Sequence, residues 1–223
     1  MVIRQNIKEM RFYTPEEVRF HNCADDCWVS IFNKVYDITS LIHKNRNALA
    51  EPLIQAAGTS ISHWFDEKTG DVKTYMDPVR NITMPYTPYG RFIHVPPPNP
   101  KDNTPAEDKP WWKDSTYVIG ELTARTRMIK LVNMITRGED IITVCCEETI
   151  NNIRDRYLEY NAHACSYTFK ALINGEFVCL NMNKTLDENG VPDESEKFVD
   201  LNMEYDCYIP SLHLYYDDDL TAM

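Results

Sequence analysis

The sequence predicts an α+β protein of two small domains joined by a proline-rich linker. Three observations carry this. Strand-like and helix-like stretches come in blocks; in the second half the order is strand, strand, helix, strand, strand, strand, which suits one sheet crossed by one helix. Eight of the thirteen prolines lie between Pro85 and Pro110. The chain has 223 residues, 43% hydrophobic and 11% aromatic, enough for two cores. Proline removes backbone donors and stiffens the chain, so Val95-Pro-Pro-Pro-Asn-Pro reads as an extended spacer. The expected division is a first domain over 12–92, a linker over 93–114 and a second domain over 115–223. Of the adjacent indoles Trp111 and Trp112, one is expected to clamp the linker onto a domain and the other to face a partner.

In the first domain, Thr14, Pro15 and Glu17 form a capping box, so a helix is expected over 14–21. Trp28-Val-Ser-Ile-Phe and Lys34-Val-Tyr-Asp-Ile read as two strands with a tight turn between them. Helical segments are expected over 39–43, 50–57 and 59–66, the last two separated by Gly58. In the second domain, Met128 to Ile135 and Ile141 to Cys146 read as strands around the turn at Arg137-Gly138. Thr149 caps a helix with apolar positions Ile150, Ile153 and Tyr157. Ser166 to Ala171 and Phe177 to Leu180 read as strands around Asn174-Gly175, and Ser211 to Tyr216 as the last.

The formal net charge is −11, and its distribution is uneven. Residues 1–100 hold 11 basic and 11 acidic side chains, 101–186 hold 11 and 12, and 187–223 hold one base, Lys197, against 11 acids. No basic face is segregated, which excludes a general nucleic-acid binder and a polybasic membrane contact. The acids are expected to form a solvated loop and tail. No apolar run approaches a membrane span, and Met1–Met10 lacks the apolar block of a secretory signal. Seven cysteines, an odd number, suit free thiols in a reducing cytoplasm. Cys23 and Cys27 form a CxxxC pair without a cationic neighbour, and read as two unrelated thiols rather than a redox pair. No phosphate loop, GxSxG or HExxH is present, so a stand-alone enzyme is not expected.

Tyr13-Thr14-Pro15-Glu16-Glu17-Val18, His21-Asn22, Cys27-Trp28-Val29, Lys34-Val-Tyr-Asp-Ile-Thr39, Ala56-Ala57-Gly58 and Phe65, taken in order, resemble the cytochrome b5 haem-binding domain. The second domain resembles a ubiquitin-like β-grasp in element order. The chain ends Leu220-Thr-Ala-Met223, without the Gly-Gly needed for C-terminal conjugation. The combination is similar to a family associated with the axoneme and radial spokes of motile cilia. That resemblance implies haem as cofactor, axonemal proteins as partners, a place in the cilium, cytoplasm and cytoskeleton, and a redox-linked role in ciliary beating. The alternative it leaves open is a haem-free adaptor. An electron donor to a reductase fits less well, because the first domain is neutral.

The resemblance also has a gap. The family's first iron-binding histidine, in a His-Pro-Gly-Gly segment, falls on Asn45 of Asn45-Arg46-Asn47-Ala48. Its second falls in Lys68-Thr69-Gly70-Asp71, which has no histidine. The candidate axial ligands to haem iron are therefore His43, His63 and Tyr75. A shift of two residues turns a helical side chain by about 200°, so His43 replaces the family ligand only if the backbone is rearranged. The remaining histidines, His21, His94, His163 and His213, do not cluster in sequence.

Overall fold

The computed structural model describes residues 11–79, 81–97, 109–204 and 206–217. The core of the proline-rich stretch, 98–108, and the final acids Asp218 and Asp219 lie outside them, as do 1–10 and 220–223. The chain divides into two compact units, 1–122 and 123–223.

The first unit begins with β1 (Phe12–Tyr13) and α1 (Pro15–Phe20). Both arms of the capping box form: Glu17 N donates to Thr14 Oγ1 at 3.1 Å, and Thr14 N donates to Glu17 Oε2 at 2.6 Å. Then come β2 (Asn22–Cys23), β3 (Asp26–Ile31), β4 (Lys34–Asp37), α2 (Thr39–Lys44) and α3 (Glu51–Gln55). Gly58, at φ 73, ends the α3 segment where a Cβ would lie 2.9 Å from Asn22 Cβ, so only glycine passes without a shift. The helix expected over 59–66 shrinks to a 3₁₀ turn at Ser62–Trp64. Its backbone groups are spent on β3 instead: Ser30 N donates to Thr59 O and Ile61 N to Ser30 O. An exposed hairpin, β5 (Thr74–Asp77) and β6 (Ile82–Pro85), follows.

The unit is completed by β7 (Val118–Leu122), which lies between β1 and β4 in the order β1-β7-β4-β3-β2. Residues 115–122 were expected to open the second domain; here β7 is an interior strand of the first unit's sheet. Its pairing parallel to β1 and antiparallel to β4 supplies hydrogen bonds on both sides. Gly120 sits where a Cβ would strike Arg11 O and come within 2.7 Å of Tyr13 Cε2, so β1 can cross only a glycine.

The second unit comprises β8 (Thr126–Asn133), β9 (Glu139–Cys145), α4 (Ile150–Tyr157), β10 (Tyr167–Ile173), β11 (Glu176–Cys179), α5 (Ser195–Asp200) and β12 (Ser211–Tyr216). The sheet order is β11-β10-β12-β8-β9, with β12 parallel to β8 and every other pair antiparallel. Two hairpins thus flank a returning central strand. Alternation along β8 buries Ile129 and Leu131, and β12 buries Leu212 and Leu214; all pack against Ile150, Ile153 and Tyr157 of α4. Thr149 caps α4, accepting from Asn152 N. The hairpin turn has Asn174 and Gly175 at φ 53 and 88, the left-handed pair that Asn-Gly tolerates.

Part of the acidic segment is paired rather than solvated. Arg127, 3% exposed at its side chain, reaches Asp187 at 3.4 Å and donates to Val191 O at 2.9 Å. Arg125 meets Asp193 at 3.3 Å and Glu196 at 2.6 Å. These contacts hold 187–196 against the start of β8.

Candidate functional site

The first unit's interior is aromatic. Trp64, Phe65, Phe92 and Trp111 are fully buried and Trp112 nearly so, joined by Val29, Ile38, Leu41 and Leu53 from the sheet and helices. Ring centroids lie 5.3 Å apart for Trp64–Phe92, 5.7 Å for Phe65–Trp112 and 5.8 Å for Trp111–Trp112. Most of these pairs meet edge-on or tilted, as their quadrupoles favour. Both indoles of the Trp pair turn inward, so neither faces a partner. Trp111 N donates to His94 Nδ1 at 2.9 Å, and Tyr36 OH donates to Trp112 O at 3.3 Å. Burial alone raises the Tyr36 phenol above its ordinary value.

Beside this interior lies an open cleft of about 850 Å³. Its apolar lining comes from Ile42, Ala50, Pro52 and Ile54. Its polar lining comes from Asp25, His43, Arg46, Glu51 and Arg91. His43 sits in the last turn of α2 with its side chain 40% exposed. Its Nε2 lies 3.3 Å from Asp25 Oδ1, and its Nδ1 lies 3.1 Å from an Arg46 guanidinium nitrogen. Both ring nitrogens thus have partners, a carboxylate at Nε2 and a guanidinium at Nδ1.

The other two candidates lie elsewhere. His63 is exposed in the 3₁₀ turn, and its Nε2 accepts from Trp64 Nε1 at 2.9 Å. Tyr75 stands on the β5–β6 hairpin, 46% exposed. Neither lines the cleft. The stretch that takes the family's second histidine is tied down by Asp71, which accepts from Trp112 Nε1 at 3.4 Å and from Lys113 Nζ at 2.6 Å. Of the three candidates, His43 alone lines this cleft. Among the described residues no group of three or more His, Cys, Asp or Glu side chains could hold a metal ion.

Burial separates the two cysteines of the CxxxC pair, with Cys23 exposed and Cys27 buried. Cys27 is buried, and desolvation first, then the charges of Asp37, Cys23 and Asp26, raise its thiol to about 12. Its sulfur points to Leu53 O at 4.0 Å. All seven cysteines are free thiols. His21 is structural: Nδ1 lies 2.7 Å from Asp26 Oδ2, and the ring stacks on Trp28 at 3.5 Å.

The motif order, the sheet and the cleft beside α2 and α3 define a cytochrome b5-like domain, and a model of the cytochrome b5-like heme/steroid binding domain matches residues 14–85. Cytochrome b5 domain-containing protein 1 of Xenopus tropicalis is 48% identical over 215 residues, 96% of this chain and 97% of that protein. Its Homo sapiens counterpart is 44% identical over 218 residues, covering 96% and 93%. Cytochrome b5 of Oryctolagus cuniculus is 30% identical over 63 residues, 28% of this chain and 46% of that one. The chain belongs to the cytochrome b5 domain-containing protein 1 family.

The domain implies haem, and the residues present decide how it could be held. A two-histidine site does not fit: one family position is Asn45, and the other lies in the stretch held by Trp112 and Lys113. A haem held on one face fits better. His43 would supply an imidazole at the cleft once its ring leaves Asp25 and Arg46, and Arg46 and Arg91 would supply cations for carboxylates. When bound, haem supplies one-electron exchange at its iron. The β5–β6 hairpin and β7 escaped the sequence reading. Asp77-Pro78 and Asn81 were the turn signal for the hairpin, and Val118-Ile-Gly-Glu-Leu was a strand-length run after the linker.

Proposed function

We propose that the first unit binds haem at the His43 cleft as a dissociable cofactor with one protein ligand. In this reading the protein is a redox-linked component of the axoneme of motile cilia, at the radial spokes, and the second unit is a ubiquitin-like docking module. The observation that carries the haem reading is the placement of His43 at a cleft beside an interior already filled by the chain's own aromatic rings. In this reading haem adds at the cleft beside that core rather than inside it. With His43 as the one protein ligand, binding would depend on that imidazole. The hairpin, helix and returning-strand order of the second unit supports the docking role. The axonemal setting is supported by the family resemblance.

The filled interior also favours a second reading, a haem-free adaptor, because nothing in that core needs a cofactor. Haemin titration of the full chain, followed at the Soret band in oxidised and reduced states, separates the two. The haem reading expects a saturable shift that His43→Ala abolishes and that His63→Ala and Tyr75→Phe preserve. No specific shift in either state leaves the adaptor, for which retention in salt-washed axonemes is the expected result. Loss with Tyr75→Phe alone would move the ligand to the hairpin.

A further inference from the structure

We infer that Tyr89 and Arg91 are the recognition wall of the first unit's cleft, and that they take a flat aromatic carboxylate, a porphyrin with or without its iron. This rests on the haem reading of the cleft given above, but not on iron ligation by His43.

Both residues belong to the segment that follows the β5–β6 hairpin. Gly90 N donates to Thr87 O at 3.0 Å, which closes a turn. The turn lies beside α3, where a Cβ on Gly90 would stand 3.7 Å from Pro52 Cγ. Tyr89 and Arg91 thereby join Ile42, Ala50, Pro52 and Ile54 around one cavity. Its volume, about 850 Å³, falls within the roughly 300–1,000 Å³ of small-molecule sites.

Three observations bear on what enters. The first is an aromatic ring left open. Tyr89 is 56% exposed, yet it rests against fully buried Trp64, with ring centroids 5.7 Å apart. A ring held by the core and bathed by solvent offers a fixed apolar surface to a flat ligand. The second is an open guanidinium. The other charged groups of the cleft have partners. Asp25 lies 3.3 Å from His43 and 4.0 Å from Arg46, Arg46 lies 3.1 Å from His43, and Glu51 accepts from Gln55 at 3.4 Å. Arg91, half-buried, donates from Nε to Val95 O at 2.9 Å, which anchors the side chain. Its two terminal nitrogens make no hydrogen bond or ion pair among the described residues. A planar fork anchored at one nitrogen and open at the other two suits a carboxylate.

The third is the state of His43. Both of its ring nitrogens are engaged, so an arriving ligand meets the Tyr89 ring and the Arg91 fork before a free imidazole. Ring contact and a carboxylate pair need no metal, so the iron-free ring binds through the same two residues.

The test uses the full chain and metal-free protoporphyrin, read by its fluorescence on binding, with protoporphyrin dimethyl ester as the second probe. The free acid should bind, and the ester should bind about tenfold or more weakly. Arg91→Met should weaken the acid by about tenfold or more and leave the ester unchanged. Tyr89→Ala should weaken both by about tenfold, and Tyr89→Phe should keep parent binding. Arg154→Met, on α4 of the second unit, makes the same charge change and should alter neither. Loss of the ester along with the acid in Arg91→Met would show that this arginine only holds the loop, and would overturn the inference. Equal binding of acid and ester by the parent, unchanged binding by Tyr89→Ala, or no binding of protoporphyrin would also overturn it. The haemin titration is read separately. A specific Soret shift without protoporphyrin binding overturns this inference and leaves the haem reading standing. Protoporphyrin binding without a haemin shift keeps the inference and removes ligation by His43.

Discussion

The two units differ in how their cores are assembled. The second is built from two local hairpins and a helix, and only its last strand, β12, returns from a distance to lie between β10 and β8. The first is closed by pieces from far along the chain. Trp111 and Trp112 fill its interior, and β7 enters the middle of its sheet, after the hairpin and the proline-rich stretch. The difference teaches that a family motif set can mark where a domain starts without marking where it ends.

The largest expected effect tests that closure. Trp111→Ala removes a fully buried indole from the aromatic interior and should destabilise the first unit by about 3–5 kcal/mol. Hydrogen exchange should show lost protection in β3, β4 and β7 and none in β8 or β12. Loss spread equally over both units would break the comparison. Gly120→Ala comes next. A methyl group there meets Arg11 O and the Tyr13 ring, so forcing β1 away from β7 should cost about 1–3 kcal/mol in denaturant unfolding. Thr14→Ala removes the cap of a short helix at the edge of the same unit. Its cost should be about 1 kcal/mol, read as a lower unfolding midpoint.

At neutral pH the smallest effect is that of pH itself. Cys27 keeps its proton to about 12 in the folded unit, against 9.0 when exposed. Below pH 9 both states are protonated and stability carries no slope from this thiol. Between pH 9 and 12 the unfolded chain ionises first, so the stability of the first unit falls as pH rises. Maleimide labelling at pH 8 should accordingly modify exposed Cys23, Cys165, Cys179 and Cys207 and spare Cys27. Rapid labelling of Cys27 would show that the β3 face is open.

Much of the local structure was legible because local rules carried it. The Thr14 box, the Thr149 cap and the Asn174-Gly175 turn each satisfy backbone groups within a few residues, and each appears where the spacing puts it. The misreadings arose where distant partners decide. Residues 59–66 carry helix-like apolar spacing, but their amides and carbonyls bond to Ser30, so tertiary pairing wins. Residues 118–122 read as nothing in particular until β1 and β4 flank them. The candidate site was legible only as a set of side chains. That His63 bonds its neighbour Trp64 is local, but that His43 reaches a cleft lined also by Arg91, and that Asp71 is held by Trp112 and Lys113, 41 and 42 positions away, depends on packing that no spacing reveals.

The claim that most needs testing is that haem is held on one face by His43 against a finished core. Electron paramagnetic resonance of the full chain loaded with ferric haem tests it directly. One imidazole ligand predicts a high-spin ferric signal that disappears with His43→Ala, while the unloaded protein keeps the same cooperative unfolding as the parent. A low-spin signal typical of two imidazole ligands, or a high-spin signal unchanged by His43→Ala, would contradict the account.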